Sequence, residues 1–191
     1  MASEVDIAET ARVEEEGFLS VVVNKVEQVT GIDIDDDGDL DLFIGFRGAP
    51  DRLYRNDRGN FIDVAAEVGL VIDEETRAAA WGDYDLDGDP DLYVGFAALG
   101  INNRLYRNDG GTFVDVASDV GVGQGGTTRQ PAFLDYDGDG HLDLSVPSDY
   151  TSNQLYHNNG DGTFTDVATA AGVGFCPSSL VALRSCCGGT C

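Results

Sequence analysis

The sequence predicts an all-β protein made of β-propeller-type blades, each of four short antiparallel strands, in three repeats of about 50 residues. Three observations predict it. The same motifs recur three times in the same order. Their spacing is that of a four-stranded blade. Within each unit, short runs rich in aromatic and β-branched residues alternate with Gly, Asn and Asp breaks. A closed ring needs at least about four blades. Three units therefore predict an incomplete, open propeller unless other chains complete it.

The elements follow in order. Residues 1–24 form a lead-in that supplies only part of a blade. Repeats span 25–70, 71–122 and 123–174, and a cysteine-containing tail runs over 175–191. The first motif of each repeat reads GIDIDDDGDLDLFIG (Gly31–Gly45), WGDYDLDGDPDLYVG (Trp81–Gly95) and FLDYDGDGHLDLSVP (Phe133–Pro147). Its first loop aspartates, Asp33, Asp83 and Asp135, stand 50 and 52 residues apart. A second motif follows, RLYRND from Arg52 and Arg104 and QLYHNN from Gln154. The third reads FIDVAAEVGL from Phe61, FVDVASDVGV from Phe113 and FTDVATAAGV from Phe164. In the middle repeat the expected strands are RAAAWGDY, DLYVGF, NRLYRND and TFVDVA, with one helical turn in ASDVGVG.

Charge narrows the function classes. There are 35 acidic residues against 11 basic ones, a net charge of −24. Such a chain cannot neutralise phosphates, which argues against nucleic acid and against anionic membrane surfaces. Its natural partners are cations. A hydrophobic content of 42% supports a real core rather than a disordered acidic tail. No apolar run is long enough to span a bilayer, so no membrane insertion is expected. The opening MASEVDIAET has neither a basic nor an apolar signal region, so no signal peptide is expected in it.

The acidic charge is concentrated. Fifteen of the 35 acidic residues lie in the three loops of the first motif. The loops carry Asp33, Asp35, Asp37, Gly38, Asp39 and Asp41; Asp83, Asp85, Asp87, Gly88, Asp89 and Asp91; and Asp135, Asp137, Asp139, Gly140, His141 and Asp143. Side chains at positions 1, 3 and 5 converge on one centre if the backbone curls around it, and Gly at position 6 permits the sharp turn. Position 7 then offers its carbonyl oxygen, which makes its side chain dispensable and explains His141. Position 9 is Asp throughout and closes the cage. Hard oxygen donors in a flexible loop suit Ca²⁺ better than Mg²⁺ or zinc. An EF-hand would need Glu at position 12. Ile44, Val94 and Val146 stand there, inside β-type runs. The competing reading, a solvated acidic turn without metal, leaves the repulsion between these carboxylates uncompensated.

With these motifs in place, the chain resembles the FG-GAP/VCBS repeat family, the calcium-bearing blades of integrin-α-type propellers. It is similar in particular to bacterial proteins with repeated GDYDxDGDxDLYV…NRLYRN…GTFxDVA units. The resemblance covers about residues 25–174. It implies about three Ca²⁺, one per loop between the first two strands of each blade. The aspartates at positions 1, 3, 5 and 9 would ligate by side chain, and Asp39, Asp89 and His141 through the backbone carbonyl. It also implies an extracellular or cell-envelope setting and a non-enzymatic role in binding, adhesion or scaffolding, with a protein or glycan as ligand. The alternative is a self-assembling subunit, a homo-oligomer or filament joined through open blade faces. A polysaccharide-binding or polysaccharide-cleaving propeller is a third reading.

The remaining residues read as structural. Tyr54, Tyr106 and Tyr156 recur at one blade position, which suits packing better than sugar stacking. Trp81 reads as core or blade interface. Arg55, Arg107 and His157 follow the tyrosines and suit pairing with nearby carboxylates. No Ser/His/Asp arrangement is present to support nucleophilic catalysis. Cys176, Cys186, Cys187 and Cys191 are compatible with a disulfide-stapled cap or with an incidental tail.

Overall fold

In a computed structural model that describes residues 26–174, each repeat forms one four-stranded antiparallel meander. The first sheet comprises β1 (Val26–Ile32), β2 (Asp41–Phe46), β3 (Arg52–Asp57) and β4 (Asn60–Asp63). The second comprises β5 (Thr76–Gly82), β6 (Asp91–Phe96), β7 (Arg104–Asn108) and β8 (Phe113–Asp115). The third comprises β9 (Ala132–Leu134), β10 (Asp143–Val146), β11 (Gln154–Asn158) and β12 (Phe164–Asp166). The helical turn expected in ASDVGVG is α1 (Ala117–Val120), ended by Gly121 at φ 88°. The lead-in and the four cysteines lie outside the described residues.

Local sequence sets these turns. Asp57 pairs with Asn60 around Arg58 and Gly59, whose φ values are 53° and 91°. Two positive φ values in a two-residue connection make the type I′ turn that matches strand twist. Gly110 and Gly111 repeat it in the second sheet, where the Asp109 N–H donates to the Thr112 carbonyl. In the third repeat the connection is one residue longer, and the Asn159 N–H donates to the Thr163 carbonyl.

The sheets pack face to face, with β1 against β5 and β5 against β9. The middle sheet is covered on both faces, and all six residues of β6 are buried. Strand alternation divides them. Leu92, Val94 and Phe96 enter a core shared with Phe43 and Leu53 of the first repeat and with Ile72 of the connection that follows it. Tyr93 enters a second core with Leu105, Val122, Leu144 and Tyr156. Each such side chain contributes about 1.5–3 kcal/mol on burial. Trp81 packs edge-on to Phe43 at 6.3 Å and to Phe113 at 6.0 Å, and its Nε1 donates to Thr30 Oγ1 at 2.9 Å. It is an interface residue between the first two sheets.

The far face of the third sheet departs from this pattern. Ser145 stands where Phe43 and Tyr93 bury aromatic rings. Tyr136 is 43% exposed where its equivalent Tyr84 is 3% exposed. The stack is thus open on this side among the described residues.

A buried polar latch joins consecutive sheets. Asp51 accepts from the Phe46 N–H at 2.8 Å and from Thr76 Oγ1 of the next sheet at 2.5 Å. In the second repeat Asn103 Oδ1 accepts from the Phe96 N–H at 3.3 Å and from Thr128 Oγ1 at 3.0 Å. Gly95 admits Thr128 closely, since a Cβ there would lie 2.3 Å from the threonine methyl. Burial raises the Asp51 pKa from 3.8 to about 6, against the lowering effect of its two hydrogen bonds. An acid whose pKa rises on folding favours the folded state at low pH, and that advantage is lost as pH rises from 3.8 to about 6. Asp51→Asn, the residue type of the second and third repeats, is therefore expected to stabilise the protein at pH 7.5 by about 1–2 kcal/mol. The gain should vanish near pH 4. Urea unfolding at the two pH values measures it, and equal stability of both proteins at pH 7.5 would contradict it.

Candidate metal centres

Each acidic loop spans the turn between the first and second strands of its sheet: 33–40, 83–90 and 135–142. The three loops share one backbone design. The position 1 carboxylate accepts the N–H of the position 6 glycine: Asp33 from Gly38 at 3.0 Å, Asp83 from Gly88 at 3.1 Å and Asp135 from Gly140 at 3.1 Å. Position 5 accepts the N–H of position 7 at 2.9 Å in all three, from Asp39, Asp89 and His141. The position 6 glycines have φ of 92°, 101° and 90°, which a side chain would strain. Position 4 is also left-handed. Asp36 and Leu86 adopt φ of 58° and 62° there, whereas the third loop uses Gly138.

These turns gather carboxylates. Oxygens of Asp33, Asp35 and Asp37 lie within 4.8 Å of one another, as do those of Asp83, Asp85 and Asp91, and those of Asp135, Asp137 and Asp143. Positions 1 and 3 are common to all three clusters. Position 5 joins the first and position 9 the other two. Asp87 stays outside its cluster, and Asp139 groups with Asp137 and His157.

Position 9 does more than face the cage. Asp41, Asp91 and Asp143 are fully buried. One oxygen of each accepts the N–H of position 2, from Ile34, Tyr84 and Tyr136 at 2.8, 3.0 and 3.0 Å. The other accepts from Asn56, Asn108 and Asn158 of the third strand at 2.7, 2.9 and 2.9 Å. Those asparagines were not singled out from the sequence. Their side-chain amides also donate to the carbonyls of Leu40, Pro90 and Leu142, tying each loop to its neighbouring strand. Their recurrence in RLYRND, RLYRND and HNN was the available signal.

Position 7 corrects an expectation. Its carboxylate is not idle: Asp39 accepts from the Arg58 N–H at 2.9 Å and Asp89 from the Gly110 N–H at 3.0 Å, pinning the next hairpin turn. In the third loop the His141 ring covers that turn instead. A Cβ on Gly160 would fall 2.9 Å from its Nε2.

The loops bear an electrostatic cost. Burial, aided by the charges of Asp85 and Asp87, lifts the Asp91 pKa from 3.8 to about 7 despite two N–H bonds. Burial likewise raises Asp41 and Asp85. Asp33 Oδ1 is buried and has no hydrogen-bond partner. An orphaned anionic oxygen within an all-oxygen donor set fits a hard divalent cation.

The other singled-out residues behave as structure. Tyr106 and Tyr156 are buried in the two cores, 3% and 1% exposed. Arg107 pairs with Asp109 at 2.7 Å. His157 Nδ1 lies 3.1 Å from Asp143 and 3.4 Å from Asp137. No helix among the described residues is long and apolar enough to cross a membrane.

A family model described as an FG-GAP-like repeat matches residues 33–94, 99–146 and 135–182. No curated protein matches the chain. Repeats of this family are typically extracellular, non-enzymatic binding modules, and they often bind Ca²⁺. The matched segments take in all three acidic loops and most of the sequence, and the chain belongs to the FG-GAP-like repeat family.

Proposed function

We propose that the chain is a non-enzymatic, calcium-binding repeat module of an extracellular or envelope protein, serving binding, adhesion or scaffolding. One observation carries the reading: the same loop geometry brings three carboxylates within 4.8 Å at each of three equivalent turns. An active site has no need of three copies at blade spacing, whereas a structural cation site does. Positions 1, 3, 5 and 9 would supply side-chain oxygens and position 7 a carbonyl. The bound cation would cancel the repulsion and fix the turn between the first two strands. Each blade then presents its loops and hairpins in a set orientation to a protein or glycan. Calorimetric titration of metal-free protein with Ca²⁺ tests the reading by counting sites.

A second reading, self-association through the stack ends, is favoured by the exposed Tyr136 and by Val173, which is 49% exposed where its equivalent Val122 is buried. Light scattering on eluting protein is expected to give a mass above that of a 20.3 kDa chain. A monomer at high concentration would contradict it.

A further inference from the structure

The third loop differs from the other two in one chemical respect. Both histidines of the chain, His141 and His157, lie in the third repeat. His157 occupies the β11 position that Arg55 and Arg107 hold in the earlier repeats. A ring nitrogen of His157 and oxygens of Asp137 and Asp139 lie within 4.8 Å of one another. The ring is oriented by Tyr136, edge-on at 6.0 Å, and by its contact with the fully buried Asp143 at 3.1 Å. The side chains of His157 and Asp137 are 28% and 36% exposed, so a cation can reach them from solvent.

An imidazole nitrogen is a poor ligand for Ca²⁺ and a good one for borderline divalent transition cations. Imidazole nitrogen and carboxylate oxygen are both ligands that zinc accepts, and water can complete a shell of three protein ligands. The guanidinium of Arg55 or Arg107 is a permanent cation and cannot ligate one. We propose that the third loop alone is a site for a divalent transition cation of the zinc class, held by Asp137, Asp139 and His157. Asp137 also belongs to the all-oxygen cluster of that loop, so the transition cation and Ca²⁺ compete there. The first and second loops keep oxygen-only sets and discriminate for hard cations. This rests on the reading that the loops hold metal.

Cobalt(II) is the probe, because its visible absorption reports ligation. The full chain is titrated with Co²⁺ after metal removal, and separately with Ca²⁺. One Co²⁺ per chain is expected to bind with a visible band, and NMR should show the His157 ring signals broadened beyond detection. His157→Gln and His157→Arg are each expected to weaken Co²⁺ at least tenfold while Ca²⁺ binding to the first two loops persists. Zn²⁺ should displace the Co²⁺. Calcium binding without Co²⁺ binding, or equal Co²⁺ affinity in wild type and both variants, overturns this inference and leaves the calcium reading standing. Failure of both metals to bind overturns the two together.

Discussion

Calcium added to the metal-free protein is expected to raise its melting temperature by about 8–30 °C. The driving force is mass action: a ligand that binds only the folded state stabilises it by RT ln(1 + [L]/Kd). For loop sites with Kd of about 10–100 μM and calcium at about 1 mM, each site contributes roughly 1.4–2.7 kcal/mol. Three sites give about 4–8 kcal/mol, and each kcal/mol moves the melting point of a domain this size by about 2–4 °C. The pH dependence should reverse as well. Asp91, with its pKa raised to about 7, favours the metal-free fold at low pH, and that contribution is lost as pH rises from 3.8 through about 7. Metal-free protein should therefore melt lower at pH 8 than at pH 5. With calcium the order should invert, because the cation binds the ionised carboxylates that protons otherwise occupy. Melting curves that coincide with calcium and with EDTA would contradict the structural role of the ion.

Positions 9 and 3 of the loop should separate under mutation. Asp91→Ala removes the acceptor for the N–H groups of Tyr84 and Asn108, both at buried sites beside a fully buried carboxylate. Each buried donor left unpaired costs about 1–3 kcal/mol. A loss of about 3–5 kcal/mol is expected even without metal, offset in part by relief of the buried charge. Asp85→Ala should behave oppositely. Asp85 faces solvent on the loop surface, and partial desolvation, followed by the charges of Asp87 and Asp83, raises its pKa. Its removal should leave metal-free stability unchanged or slightly higher, while abolishing the calcium-dependent gain of that one loop. Denaturant unfolding with and without calcium measures both. Equal losses for the two variants in EDTA would contradict the division of labour between lock and ligand.

Much of this was legible in the sequence for a physical reason: repetition averages out local ambiguity. DLYVGF alone is a short apolar run that fits a strand or a buried helix. Set beside DLFIGF and DLSV at the same place in three units, it reads as a second strand. The gathering of the loop aspartates was legible because carboxylates two residues apart converge when the backbone curls around one centre. The double role of position 9 was not legible, since a buried Asp that accepts two N–H bonds has the same letter as an exposed ligand. Position 7 misled for a related reason. His141 in the third loop suggested a dispensable side chain, yet Asp39 and Asp89 hold the neighbouring hairpin, a contact made across 19 and 21 residues. The Asp51–Thr76 latch spans two blades, and only its repetition as Asn103 and Thr128 hints at it.

The number of calcium ions bound per chain, counted by calorimetric titration in buffer stripped of transition metals, bears most directly on the cation-stapled blade. Three ions per chain are predicted, falling to two in the Asp83→Asn, Asp85→Asn double variant. Absence of saturable binding, or a count that this double variant leaves unchanged, would contradict it.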